Sequence, residues 1–147
     1  MTVIKGHFWA CTDDVKSNPG LWMPMIQGAS ISDSKDPNVV NVIQRDLFAL
    51  VDTGADMCAL DQDIAGRLKL IPIKQTNDRG GFGGRMTNVY NLQIVLPTES
   101  LNGETRFQIE CVAAPLKSQG FLCDFVLGED VIQHFELRHV SIVEGCH

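Results

Sequence analysis

The residues best placed to do chemistry stand together as Asp52-Thr53-Gly54-Ala55-Asp56, directly after the apolar run Asp46 to Val51 (DLFALV). So apolar a run predicts a strand buried on both faces, and its abrupt stop sets Asp52 at the mouth of that strand. Gly54 lets the chain turn back so that its N–H faces the Asp52 carboxylate, and Thr53 can bury a hydroxyl that bonds across to neighbouring backbone. Ala55 keeps the adjoining wall thin. One carboxylate alone hydrolyses little, but two held about 3 Å apart cannot both ionise and so share a proton. The ionised member then takes a proton from water while its partner polarises a carbonyl, acid–base help of roughly 10²–10⁴-fold. The second carboxylate must come from somewhere.

The elements that hold this loop read mostly as short strands separated by Gly, Pro, Asn and Asp clusters, an all-β pattern. Strands are expected over Thr2 to Thr12, Leu21 to Ile31 (with Pro24 at an edge), Val39 to Ile43, Asp46 to Val51, Val89 to Leu96, Thr105 to Ala113, Phe121 to Leu127 and Leu137 to Val143. Asn102-Gly103 is a hairpin turn signal. Ile64 to Leu70 fits a helical turn or a strand equally. Glu129 to Phe135 (EDVIQHF), acidic at its front and apolar at a 3–4 spacing, predicts a short helix. Between them Gly80-Gly81-Phe82-Gly83-Gly84 carries one apolar side chain among glycines, the composition of a hinged lid.

Taken in order, Asp52-Thr53-Gly54-Ala55-Asp56, Gly80 to Gly84, and Phe125-Val126-Leu127-Gly128 with the helix after it resemble the retropepsin-like aspartic peptidases over about Met23 to Val143. The resemblance implies an all-β, closed-barrel fold with one short helix after the apolar-apolar-Gly element. It implies a homodimer in which each subunit supplies Asp52 as catalytic group, the two Thr53 hydroxyls brace the loops, and Gly54 completes each turn. Ala55, Asp56, Gly81, Phe82, Gly83 and Val126 are the substrate-binding positions it implies for an extended peptide or protein substrate, Asp56 either holding substrate backbone or capping a turn. It implies no metal and no cofactor. Glu129 stands where the family usually carries Arg or an apolar residue, which leaves Asp56 to Arg45, Arg67, Arg138 or solvent. Residues 1–22 extend beyond the family pattern, either replacing its terminal dimer strands or covering the cleft. A dimeric peptide-binding module without turnover and a monomeric β-barrel scaffold are the alternative readings.

The chain has 147 residues, enough for one domain, with 44% hydrophobic and 20% charged residues and a net charge of −6. That balance argues against nucleic acid or an anionic membrane surface as a partner. Five cysteines, odd in number and never spaced as CxxC, fit neither a disulfide framework nor a zinc finger. They point to a reducing, cytoplasmic setting. Met1 to Asp14 lacks a signal-peptide pattern, and no apolar stretch approaches the roughly 20 residues of a membrane span. His7, His134, His139 and His147 show no ligand spacing, Asp61 and Asp63 read as solvated loop carboxylates, and Cys58 reads as a buried small hydrophobe. Trp9 and Trp22 are expected in the core or at a dimer contact.

Overall fold

Alternating side chains and turn residues make this a chain of strands. The computed structural model describes residues 2–10, 23–77 and 86–144. Its strands are β1 (Thr2–Ala10), β2 (Met23–Ser32), β3 (Val42–Val51), β4 (Cys58–Asp61), β5 (Lys74–Asn77), β6 (Met86–Pro97), β7 (Glu104–Ala114), β8 (Phe125–Leu127) and β9 (Phe135–Glu144). Among the described residues two short helices, α1 (Gln62–Arg67) and α2 (Glu129–Ile132), and a 3₁₀ turn (Lys117–Gln119) join them. In β7 the period of two is plain, with Arg106, Gln108 and Glu110 exposed while Ile109 and Cys111 are buried. The turn before it puts Asn102 at φ 58, and the Gly103 N–H donates to the Ser100 carbonyl at 2.9 Å.

The strands follow one hydrogen-bonded order, β5-β6-β7-β4-β8-β3-β2-β1-β9, and a further β2–β6 pairing returns the ladder on itself. Six strands (β2, β3, β8, β4, β7, β6) thereby close into a ring, each paired on both sides over part of its length. The all-β expectation holds, and the pairing closes as a barrel requires. β3, β4 and β8 are apolar on both faces: Ala49, Val51, Leu60 and Leu127 enter the larger core, while Leu50, Ala59 and Val126 enter a smaller one with Met25 and Leu116. The burial of the run before Asp52 on both sides is therefore real.

Several elements differ from expectation. Ile64 to Leu70, left open between helix and strand, takes the helical alternative as far as Arg67 in α1, whose end is fastened by Leu70 N–H to Ala65 O and Lys69 N–H to Gly66 O, each 3.1 Å, with Lys69 at φ 55. The protein thus has a helix besides the expected one. α2 stops at Ile132 because Phe135 already begins β9 and is buried. The two strands expected over Val39 to Val51 are one, β3, which carries Asp46 at φ 60. Pro24 lies beyond the β3 ladder, which begins at Met25, so its only paired neighbour there is β1.

The first part of the expected N-terminal extension is a member of the sheet. β1 runs antiparallel to β2 from His7↔Met25 to Trp9↔Met23 and parallel to β9 from Thr2↔Phe135 to Ala10↔Glu144. Trp22 and the side chain of Trp9 lie outside the described residues, as do Cys11 and Cys146. Among the described residues no helix is long and apolar enough to cross a membrane.

Candidate functional site

β3 and β8 run parallel with Val51 beside Leu127, so Asp52 and Gly128 leave the sheet at the same end. β4 returns antiparallel on the other side of β8, Ala59 beside Val126. Residues 52–57 must therefore arch over the end of β8 to pass from β3 to β4. That path dictates the residue beneath it. A Cβ on Gly128 would lie 2.6 Å from the Met57 carbonyl carbon, 2.7 Å from its oxygen and 2.9 Å from its nitrogen, distances that only glycine avoids. Backbone bonds tie the arch down: the Asp52 N–H donates to Leu127 O at 3.1 Å and the Glu129 N–H to Ala55 O at 2.7 Å.

Within the arch the Ala55 N–H donates to Asp52 O at 3.1 Å, and the Gly54 N–H donates to Asp52 Oδ1 at 2.9 Å. The turn foreseen for Gly54 is present, and a Cβ there would stand 3.2 Å from the same carboxylate oxygen. Asp52 and Ala55 are half-buried, while Thr53, Gly54 and Asp56 are exposed. The Thr53 hydroxyl, expected to be buried, is thus open to solvent in the single chain. Arg67 donates to Gln44 Oε1 at 3.0 Å and Arg138 pairs with Glu99, so neither meets Asp56. Arg45 is exposed, and no ion pair among the described residues includes Asp56. Val126 is 7% exposed in the smaller core, with Ala55 packed against the same cluster.

Gly81, Phe82 and Gly83, with the rest of the Gly80 to Gly84 run, lie outside the described residues. β5 and β6, which flank that run in sequence, are an antiparallel pair with Asn77 beside Met86.

Sequence reading missed two polar contacts. Cys58 is fully buried as expected, yet its thiol also donates to Asp130 Oδ1 at 3.3 Å. Spacing gives no hint of this, since 72 residues separate the pair. Asp61 is the correction: expected in solvent, it is 2% exposed. Its Oδ1 accepts the Lys117 N–H at 3.2 Å, and its own N–H donates to Asp124 O at 2.9 Å. The Asp124 carboxylate in turn accepts the Phe48 N–H at 2.9 Å and meets Lys117 Nζ at 3.2 Å. These bonds grip β3, β8 and β4 at the end opposite the arch. Asp63 is exposed as expected.

Cys58, Cys111 and Cys123 are free thiols, Cys58 sitting beside Cys111 in the β4–β7 ladder. Burial pushes the Cys58 thiol far above its usual range; the Gly128 backbone lowers it and Asp130 raises it further. Burial, then Asp130, pushes Cys111 up from 9.0 to about 12, and burial also pushes Cys123 up to about 12. An acid whose folded pKa is raised contributes stability that is complete below its unfolded value and is lost as pH climbs toward the folded one. Thermal melts are therefore expected to drop by several degrees as pH rises from about 9 toward 12, and to drop less steeply in Cys111→Val. Equal slopes for the two proteins would count against this assignment.

Among the described residues no group of three or more His, Cys, Asp or Glu is arranged to hold a metal ion. His134 stacks on Phe107 with ring centroids 6.0 Å apart; His147 and the side chains of His7 and His139 lie outside the described residues.

No family model matches the chain, and no curated protein matches it. Among solved structures it is similar to a retropepsin-like aspartic protease from Rickettsia conorii, at 19% identity over 76% of this chain and 71% of that one, with a TM-score of 0.42. It is also similar to EIAV protease complexed with the inhibitor HBY-793, at 21% identity over 76% of this chain and 86% of that one, with a TM-score of 0.37.

Proposed function

We propose that this chain is a retropepsin-like aspartic endopeptidase whose site is completed by a second copy of itself. The observation that carries the reading is the Asp52 carboxylate held at 2.9 Å by the Gly54 N–H inside an arch that only Gly128 permits. One chain offers one such carboxylate, so the proton-sharing couple needs two chains related by a two-fold axis. The exposed Thr53 is then available to brace the opposite loop. Water held between the two Asp52 side chains attacks the peptide carbonyl without a covalent intermediate, and turnover follows a bell-shaped pH profile belonging to the pair. The substrate lies extended as an added strand. Gly81, Phe82 and Gly83, which fall between β5 and β6 in sequence, close over it. Ala55 and Val126 line its side-chain pockets, and exposed Asp56 meets its backbone.

Sedimentation over a range of concentrations, paired with mass-spectrometric detection of cleavage in a mixed peptide pool from acidic to neutral pH, tests the reading. Dimerisation together with cleavage is the expected result. A chain that stays monomeric at every concentration sinks it. A dimer that binds peptides without cutting them would instead make this the binding module, the reading that Glu129 beside the arch favours.

A further inference from the structure

The arch over β8 is fastened at three successive points, at residues 52, 55 and 58. Two fastenings are main-chain bonds, Asp52 N–H to Leu127 O at 3.1 Å and Glu129 N–H to Ala55 O at 2.7 Å. Any residue but proline at the donor positions could form these. The third, Cys58 Sγ to Asp130 Oδ1 at 3.3 Å, depends on the side chains at both ends. It joins the first residue of β4, where the arch lands, to the first turn of α2, which begins just after Gly128.

We infer that Asp130 is a positioning residue for the Asp52 loop, acting through the Cys58 thiol. A thiol is ordinarily a weak donor, but a carboxylate acceptor strengthens the bond by its charge. Cys58 is fully buried, so water does not compete for its thiol, while Asp130 is half-buried. The contact fixes the landing of a six-residue arch whose other foot is Asp52. With Gly128 pressed beneath Met57, a shift of the landing moves the whole arch, the carboxylate and the Gly54 N–H included. Misplacement of a reacting group by about 1 Å costs on the order of 10²-fold in rate. Burial keeps the thiol protonated, so Cys58 acts as a donor and not as a nucleophile.

The inference rests on the peptidase reading, and its test separates the two. Cys58→Ala and Asp130→Ala are each expected to lower kcat about tenfold at unchanged KM, with the double variant no worse than either. Cys58→Ser, which keeps a donor, and Asp130→Asn, which keeps an acceptor oxygen, should stay within about twofold of the parent. In the same proteins, amide hydrogen exchange at Gly54 and Ala55 should accelerate in the alanine variants and not in the conservative ones. If Asp130→Ala does not fold, Cys58→Ala against Cys58→Ser carries the comparison alone. Parental kcat and parental exchange in Cys58→Ala would overturn the inference, as would a Cys58→Ser protein as impaired as Cys58→Ala. If the parent cuts no peptide at all, the exchange measurements still decide the positioning role while the peptidase reading falls.

Discussion

Asp52→Asn is expected to lower peptide cleavage by roughly 10²–10⁴-fold while leaving the fold and self-association intact. The substituted amide keeps an oxygen that can accept the Gly54 N–H, so the turn that holds it at 2.9 Å survives. What disappears is the ability to accept a proton from water or to share one with a partner. Asp56→Asn should retain cleavage with its main effect on KM, because the amide keeps an oxygen that can accept from substrate backbone and no ion pair with a described residue is lost. The proposed two-chain site adds a sharper outcome. Chains carrying Asp52→Asn, mixed in excess with parent chains, should suppress the parent's cleavage, since a mixed dimer has one acid where the chemistry needs two. Progress curves that merely dilute, in proportion to the parent added, would point to a site complete within a single chain.

Gly128→Ala is expected to destabilise the protein by about 1–3 kcal/mol and to lose cleavage as well. The new methyl would lie 2.6 to 2.9 Å from the backbone of Met57. Neither side can yield cheaply, because the arch is bonded to Leu127 and Glu129 on either side of the contact. Denaturant unfolding gives the stability and peptide cleavage the function. Gly66→Ala is the matched control: a Cβ there meets nothing within 4 Å, and its position inside α1 predicts a gain of about 0.5–1 kcal/mol. Gly128→Ala melting with the parent would mean that the chain does not cross β8 at this distance.

What could be read without coordinates was local. The apolar run ending at Asp52, the glycine two residues on and the Asn102-Gly103 turn between β6 and β7 each occupy a few consecutive positions, and each was placed correctly, whereas the alternation that Val89 to Leu96 suggests is not kept, since β6 is buried on both faces there. α1 stayed ambiguous because IAGRLKL satisfies a period of two nearly as well as one of 3.6. β3 looked like two strands because Gln44 and Arg45 interrupt its apolar side chains, yet the strand runs on through them, its pairing with β2 shifting register between Leu47 and Gln44. Asp61 was misread for a different reason. The segment that buries it arrives far down the chain, with Lys117 lying 56 positions away, and a window along the sequence cannot see such a partner. The β2–β6 pairing that closes the ring and the Cys58–Asp130 contact are non-local in the same sense.

The draping of residues 52–57 across β8 has a consequence for how the molecule comes into being. The acidic loop emerges from the ribosome long before the strand it must lie on, and nothing earlier in the sequence supplies the carbonyl of Leu127 or the carboxylate of Asp130. Contacts that span so much chain are slow to form, because the intervening loop must first be closed against its entropy. The held geometry of the Asp52 carboxylate would then be among the last features of the fold to form, after the C-terminal third of the chain has been made.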